Sequence, residues 1–242
     1  MEKYLKMKFL SWWKILSILL VFYTMAAGFL VAVPRLPILN ETIRNLYFHV
    51  PMWFGMIILL FISVIHSIIY LSTKKLNSDI YACEAANTGI VFGILGLITG
   101  MIWAKFTWLS FWSNDPKQNA SAVGMLIYLA YFVLRGAFND EEQRGRISAI
   151  YNIFAFPTFI SLIFVLPRLT DSLHPGNGGN PGFNAYDLDS RMRLVFYPAI
   201  IGFTLLGYWI TTISVRIRKL ENQEIDENNE VINERILDER LN

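Results

Sequence analysis

The sequence predicts an all-α integral membrane protein with six transmembrane helices. The chain of 242 residues is 54% hydrophobic and has a mean hydropathy of +0.41. Soluble domains also come close to half apolar, so the distribution of these residues decides the class. Six apolar stretches of about 20 residues, almost free of charge, match the roughly 30 Å hydrocarbon core of a bilayer. They are Trp12–Val33, His49–Ser72, Ala85–Trp103, Ala120–Phe138, Ile147–Leu166 and Leu194–Val215.

The first stretch has features of both a membrane helix and a signal peptide. Lysines precede it, as in a signal peptide, but it is longer than a typical signal core and no clear small-residue cleavage site follows it. We therefore expect it to be retained as a helix. In the fifth and sixth stretches, Pro157 and Pro198 predict kinks, which either shape a cavity or serve packing alone.

The distribution of lysine and arginine predicts that both termini are cytoplasmic, because short cytoplasmic loops carry an excess of these residues. In that orientation fourteen of the 21 cations lie inside and seven lie outside. The outer seven are Arg35, Arg44, Lys105, Lys117, Arg168, Arg191 and Arg193. The longer loops 34–48, 104–119 and 167–193 then face the periplasm, and long loops in a compact fold are often functional.

Two regions differ in composition. Residues 1–219 form the predicted membrane domain, and residues 220–242 form a polar, acidic cytoplasmic tail. The tail is interpreted as a solvated extension, with a short amphipathic helix that docks on a cytoplasmic partner as the alternative.

The single cysteine, Cys83, excludes an internal disulfide. His66 lies about 25 Å from His49 along the same helix, and we interpret it as a structural histidine hydrogen-bonded to a neighbouring helix.

An aromatic run ends the third stretch. It contains Trp103, Phe106, Trp108, Phe111 and Trp112, and it is closed by Asp115 and Lys117. Tryptophan is common at membrane surfaces, so the run is either an interfacial belt or a platform for a flat anionic ligand. Asp115 precedes Pro116 and is expected to cap the next helix. A charge interaction with Lys117 is its alternative role.

Two histidines lie at the same predicted membrane surface, since His49 opens the second stretch and His174 follows the fifth. A histidine at the entry to a membrane helix is costly unless its ring nitrogens find partners. Singly, each is best explained as a structural or interfacial residue. As a pair beside an aromatic platform and surplus cations, they indicate axial ligation of haem iron, with cations neutralising the propionates. The candidate cations are Arg44, Lys105, Lys117, Arg191 and Arg193.

Several segments resemble, in the right order, the tryptophan-rich "WWD" haem-handling proteins of cytochrome c biogenesis, and most closely the CcmC family. Residues Trp103–Lys117 resemble the WWD segment and Phe48–Pro51 resemble the His-Val-Pro motif of that family. Phe138–Asp140 are similar to its cytoplasmic loop, and Ser172–Gly176 to its Leu-His-x-Gly motif. The resemblance covers residues of about 45–195, and the six-span layout agrees with it.

The WWD segment also departs from the family pattern. The family commonly has glycine at the positions of Ala104 and Leu109, proline at Phe106, tryptophan at Phe111 and Asn114, and arginine at Lys117. Trp108, Trp112 and Asp115 match the pattern. An aromatic surface therefore remains, while the departures weaken the case for individual ring contacts at positions 111 and 114.

The resemblance implies that the periplasmic face binds haem b, with His49 and His174 as axial ligands and residues 103–117 supporting the porphyrin. It also implies delivery of haem to the chaperone CcmE, in the company of the ABC-type proteins CcmA and CcmB and the small protein CcmD. The expected location is the bacterial inner membrane. Such a protein holds and presents haem and performs no covalent chemistry, and no nucleic-acid partner is expected.

Rival functions come from other classes of protein. A shortened cytochrome c haem lyase of the CcsA type would share the WWD segment, although such proteins usually have more spans. A cytochrome b-type electron-transfer anchor needs histidine pairs that face each other within the bilayer, and only His66 lies deep in a span. A solute permease is the residual alternative.

Overall fold

The computed structural model describes residues 11–174 and 188–241, and these residues form six long helices and a short 3-10 helix (Asn40–Asn45) before the second of them, without strands. The helices are α1 (Trp12–Leu30), α2 (Leu46–Thr73), α3 (Leu76–Trp108), α4 (Pro116–Gly136), α5 (Glu141–Ile160) and α6 (Ser190–Leu241). Each of the six gives a segment long and apolar enough to cross a membrane. The predicted fold class is therefore confirmed. The lysines at positions 3, 6 and 8, and the segment 175–182 after His174, lie outside the described residues.

Helix α2 lies at the centre of the bundle. It packs most extensively on α3 and also contacts α5 and α6, while α1 packs on α6. Leu59, Tyr128 and Phe159 are fully buried in the core between these helices. Gly55 allows α2 and α3 to approach closely, because a Cβ atom there would lie 2.6 Å from the ring of Phe92. Large apolar side chains on the outer faces of the helices remain exposed, as contact with lipid requires.

Helix α3 is longer than the sequence predicted. The sequence predicted a span that begins at Ala85, whereas the helix begins at Leu76 and only two residues separate it from α2. The predicted span began after the charged residues Asp79 and Glu84, which a hydrocarbon core would exclude if they were unpaired.

Two ion pairs explain why the helix continues through these charges. Arg135 of α4 donates to Asp79, with 2.8 Å between Nη1 and Oδ1, and Nε of Arg218 in α6 lies 3.3 Å from Oε1 of Glu84. Both carboxylates are buried. The pairs join three helices at the end of the bundle opposite to His49.

His66 lies in this half of the bundle, and its ring makes none of the expected hydrogen bonds to the described residues. Its ring stacks on Tyr81 of α3, with centroids 4.8 Å apart. Its Nδ1 atom is buried without a hydrogen-bond partner among the described residues. The contact with the neighbouring helix is therefore aromatic stacking.

Helices α5 and α6 each depart from the simple predicted spans. Pro157 lies inside α5, and the helix then changes to a π-helical turn over Ser161–Val165 and a 3-10 turn over Leu166–Arg168. A proline removes a backbone donor from the helix, which disturbs the regular ladder. Pro198 lies inside α6. This helix continues to Leu241, so the tail from residue 220 is helical backbone continuous with the last span.

Candidate functional site

His49 lies near the start of α2, at the end of the bundle that carries the longer loops. Its Nδ1 atom lies 2.9 Å from the carbonyl oxygen of Gly96 and 3.2 Å from Oγ1 of Thr99. A carbonyl oxygen can only accept, so Nδ1 carries the proton and donates it. In the neutral form of the ring the lone pair is then on Nε2, and Nε2 makes no hydrogen bond within the described part of the chain.

Two glycines of α3 make room for the aromatic side chains of α2. A Cβ atom on Gly100 would lie 2.7 Å from Cε1 of His49, and one on Gly96 would lie 3.0 Å from the indole of Trp53. The His49 ring is edge-on to Trp53 and to Trp103, with centroids 6.4 Å and 6.0 Å apart. The glycines and indoles together fix the position of the imidazole.

Hydrogen bonds attach the chain before α2 to the end of α3. Nε1 of Trp103 donates to Oγ1 of Thr42 at 3.2 Å. Nδ2 of Asn45 donates to the carbonyl oxygen of Thr99 at 3.0 Å. Because Asn45 directly precedes α2 and Thr99 also contacts His49, these bonds fix the start of α2 and hence the histidine.

The aromatic run is half helix and half loop, rather than a loop from residue 104 as predicted. Helix α3 continues to Trp108, where Leu109 ends it with a φ of 63°. This left-handed conformation suits glycine better than leucine. Nε1 of Trp112 donates to Oδ1 of Asn119 at 3.1 Å, which attaches the loop to α4. Phe111 is half exposed, with the Lys105 ammonium 5.7 Å from its ring centroid.

Asp115 links the aromatic segment to the second histidine. It caps α4 as predicted, accepting a hydrogen bond from the backbone N–H of Lys117 at 2.9 Å. The same oxygen lies 2.9 Å from Nδ1 of His174 and accepts from Ser172 Oγ at 3.1 Å. Its other oxygen accepts from the N–H of Leu173 at 2.7 Å. The sequence did not predict this role.

The charge states of this pair follow from its surroundings. Burial acts to raise the pKa of Asp115, but the hydrogen bonds from Leu173 and Ser172 and the nearby His174 outweigh it and lower the pKa. Burial lowers the pKa of His174 to about 4; the Lys117 charge acts in the same direction and Asp115 opposes it. Near neutral pH the carboxylate is therefore ionised and the imidazole neutral, with Nδ1 donating to Asp115.

His174 and His49 thus have the same arrangement of ring nitrogens. Nε2 of His174 also makes no hydrogen bond to a described residue. Its ring stands edge-on to Trp108, with centroids 4.9 Å apart. His49 contacts Trp103 and His174 contacts Trp108, and both indoles lie in the last turns of α3. The bundle therefore places two imidazoles at one end, each with Nδ1 hydrogen-bonded and Nε2 without a hydrogen bond to a described residue.

The five candidate cations differ in what they contact. Arg44 donates to the carbonyls of Gly28 and Val31, Lys105 to that of Leu109 and Arg193 to that of Leu188, while Arg191 pairs with Asp189. The backbone N–H of Lys117 donates to the Asp115 oxygen that also bonds to His174. The cap on α4 therefore places Lys117 next to the Asp115–His174 pair.

These features define a class of protein: a six-helix membrane bundle with two imidazoles, an aromatic surface and a cation at one end. The family model of heme exporter protein C (CcmC) matches residues 2–230, so the chain belongs to the heme exporter protein C family.

Individual relatives agree with this family. Heme exporter protein C of Paracoccus denitrificans is 28% identical over 179 residues, which cover 73% of this chain and 70% of the relative. The protein of the same name from Escherichia coli is 24% identical over 177 residues, with the same shares of both chains. That of Rhodobacter capsulatus is 26% identical over 142 residues, covering 57% of each chain.

Proposed function

We propose that this protein handles haem in cytochrome c maturation by holding it at the periplasmic face of the inner membrane for delivery to the chaperone CcmE. His49 and His174 would be the axial ligands of the iron. The aromatic side chains of the WWD segment would support the porphyrin, and Lys117 would neutralise a propionate. Haem is the cargo of this protein and is not altered by it.

The observation that carries the proposal is the hydrogen bonding of the two imidazoles. Iron binds a neutral imidazole through a nitrogen lone pair, and ligating histidines almost always donate their other N–H to a carboxylate or a carbonyl. Nδ1 of His174 bonds to Asp115, and Nδ1 of His49 bonds to Gly96. Each Nε2 is left as a donor of electrons to a metal.

The surroundings of the histidines also fit haem. A porphyrin supplies four nitrogen ligands itself, so two imidazoles complete its coordination. Trp53 and Trp103 stand beside His49, and Trp108 stands beside His174. These indoles provide apolar surface for a flat ring. A cation in the position of Lys117 complements the negative charge of the propionates.

The periplasmic location is supported by the distribution of cations, since fourteen of the 21 lysines and arginines lie on the side assigned to the cytoplasm. On this assignment the histidine pair faces outward and the tail from residue 220 faces inward. The name of the family, heme exporter protein C, agrees with a transport role. CcmA, CcmB and CcmD are the proposed companions of the protein in the membrane.

The delivery step can be tested with purified components. We expect the haem-loaded protein to transfer haem to purified CcmE, and the His174→Ala variant, which lacks one ligand, to transfer much less. Thioether-linked haem formed on apocytochrome c without CcmE would instead identify a haem lyase. A wild-type protein that never acquires haem when produced with haem in excess would contradict the proposal. His66→Ala is the matched control, because His66 lies far from this site.

A further inference from the structure

We propose that the two axial positions are unequal: His174 is the strong, retained ligand of haem, and His49 is the ligand that leaves first. Asp115 is the positioning residue that produces this difference. The inference rests on the proposed function, and it adds the order in which the two bonds to the cargo break.

The hydrogen-bond partners of the two imidazoles differ in charge. Nδ1 of His174 donates to the ionised carboxylate of Asp115 at 2.9 Å. Nδ1 of His49 donates to the neutral carbonyl of Gly96, also at 2.9 Å. The second contact of His49, with Oγ1 of Thr99, is neutral too. The two Nδ1 hydrogen bonds are equal in length, so they differ in the charge of the acceptor.

That difference in charge changes the basicity of the opposite ring nitrogen. A hydrogen bond to an ionised acceptor is roughly twice as strong as one between neutral groups. The proton on Nδ1 is drawn further toward a carboxylate, so electron density on Nε2 rises and the bond to a metal strengthens. His174 is therefore the better electron donor to iron, and His49 is the weaker one.

Asp115 is arranged for more than capping a helix. An N-cap requires one hydrogen bond from the following turn, which Lys117 supplies. The carboxylate also accepts from Ser172, Leu173 and His174, and it is 3% exposed. Three bonds from one short loop hold that loop, the carboxylate and the imidazole as one unit. The carboxylate is thereby fixed in direction.

The order of ligand loss follows from this asymmetry. An incoming ligand from a chaperone would replace the weaker bond, which is the one to His49, while His174 retains the cargo. His49 lies in a helix whose glycine contacts limit its movement, so its bond is broken by exchange rather than by a large shift of the ring. His174 lies in a loop, and its side chain is 22% exposed.

The inference can be tested in proteins that retain one of the two histidines. H49A and H174A are loaded with haem and reduced, and the iron–histidine stretching frequency is measured by resonance Raman spectroscopy. We expect a higher frequency in H49A, where His174 remains. We also expect haem to dissociate roughly tenfold faster from H174A, given the usual effect of such partners on metal affinity.

Asp115 is tested by adding D115N to each single-histidine protein. We expect D115N to lower the frequency in H49A to the value of H174A and to leave H174A itself unchanged. If Asp115 had only a structural role, D115N would change the stretching frequency in both single-histidine proteins or in neither. D140N is the matched control, because Asp140 caps α5 by accepting from Gln143 and contacts no histidine. If D115N does not fold, the comparison of H49A with H174A decides the inference alone.

The possible failures are distinguishable. A wild-type protein without haem, or one whose axial ligation is unchanged in both histidine variants, overturns the proposed function. Haem bound by both histidines with equal stretching frequencies and equal dissociation rates leaves the proposed function intact and overturns the inference. Faster dissociation from H49A than from H174A also overturns it, because His49 would then be the stronger ligand.

Discussion

Replacing Gly100 by alanine should weaken haem binding without unfolding the protein. An added Cβ would lie 2.7 Å from Cε1 and 3.2 Å from Nδ1 of His49. Ordinary van der Waals contact begins at 3.4 Å, so the ring must retreat by about 0.7 Å. His49 can make this movement only by giving up its position against α3, where its hydrogen-bond partner Gly96 lies.

The size of the effect follows from that hydrogen bond. A retreat of about 0.7 Å along the bond would stretch the 2.9 Å distance from Nδ1 to the Gly96 oxygen to about 3.6 Å, which no longer counts as a hydrogen bond. Losing one such bond costs about 1 kcal/mol. We therefore expect the dissociation constant for haem to rise roughly fivefold in Gly100→Ala.

The assay is a titration of haem into the apoprotein in lipid nanodiscs, followed by its absorption spectrum. Gly136→Ala is the control, because a Cβ there meets nothing within 4 Å; we expect its affinity to equal that of the wild type. Unchanged affinity in Gly100→Ala would refute the reasoning that this glycine sets the position of His49. A comparable loss in Gly136→Ala would show that the effect is not specific to the site.

Three further outcomes are expected. Leu109→Gly should raise the free energy of unfolding by about 1 kcal/mol, because Leu109 is 82% exposed and has a left-handed φ of 63°; thermal unfolding at an unchanged or lower temperature would contradict this. Arg135→Met should destabilise the fold by about 3 kcal/mol by leaving Asp79 buried and unpaired, and adding Asp79→Asn should restore most of the loss in the same assay. The depressed pKa of His174, about 4 against 6.5 when unfolded, contributes stability that is fully present above pH 6.5 and lost as the pH falls toward 4. His174→Gln should remove this part of the pH dependence of unfolding, and an unchanged slope would refute it.

The six helices were predictable because a bilayer imposes one length and one composition on each span. The start of α3 was not, because its charges are compensated from elsewhere in the chain. Asp79 bonds to Arg135, which is 56 positions away. A local window of sequence shows the cost of burying a carboxylate but not the partner that offsets it.

The placement of His49 and His174 at one end of the bundle follows from the alternating direction of successive spans. The role of Asp115 does not, since its bond to His174 joins two loops 59 positions apart. Loop sequences have no periodicity, so they do not show which residues of two loops contact each other. The local part of its behaviour, the cap on α4, was predictable because an Asp-Pro pair is a helix-entry signal.

Gly96 and Gly100 were missed although a signal for them exists. They lie four residues apart on α3, and His49 and Trp53 lie four residues apart on α2. Small residues at this spacing let membrane helices approach closely, so a pair of small residues facing a pair of large rings is readable as a packing site. The sequence pattern does not show that α2 and α3 are neighbours, or that these two pairs of residues face each other.

The most direct measurement is the electron paramagnetic resonance spectrum of the oxidised, haem-loaded protein beside those of His49→Ala and His174→Ala. We expect a low-spin ferric signal typical of two imidazole ligands in the wild type. Each single substitution should convert it to a high-spin signal, because one axial ligand is lost. A wild-type signal that is high-spin, or a low-spin signal that survives in both variants, would contradict ligation of haem by this histidine pair.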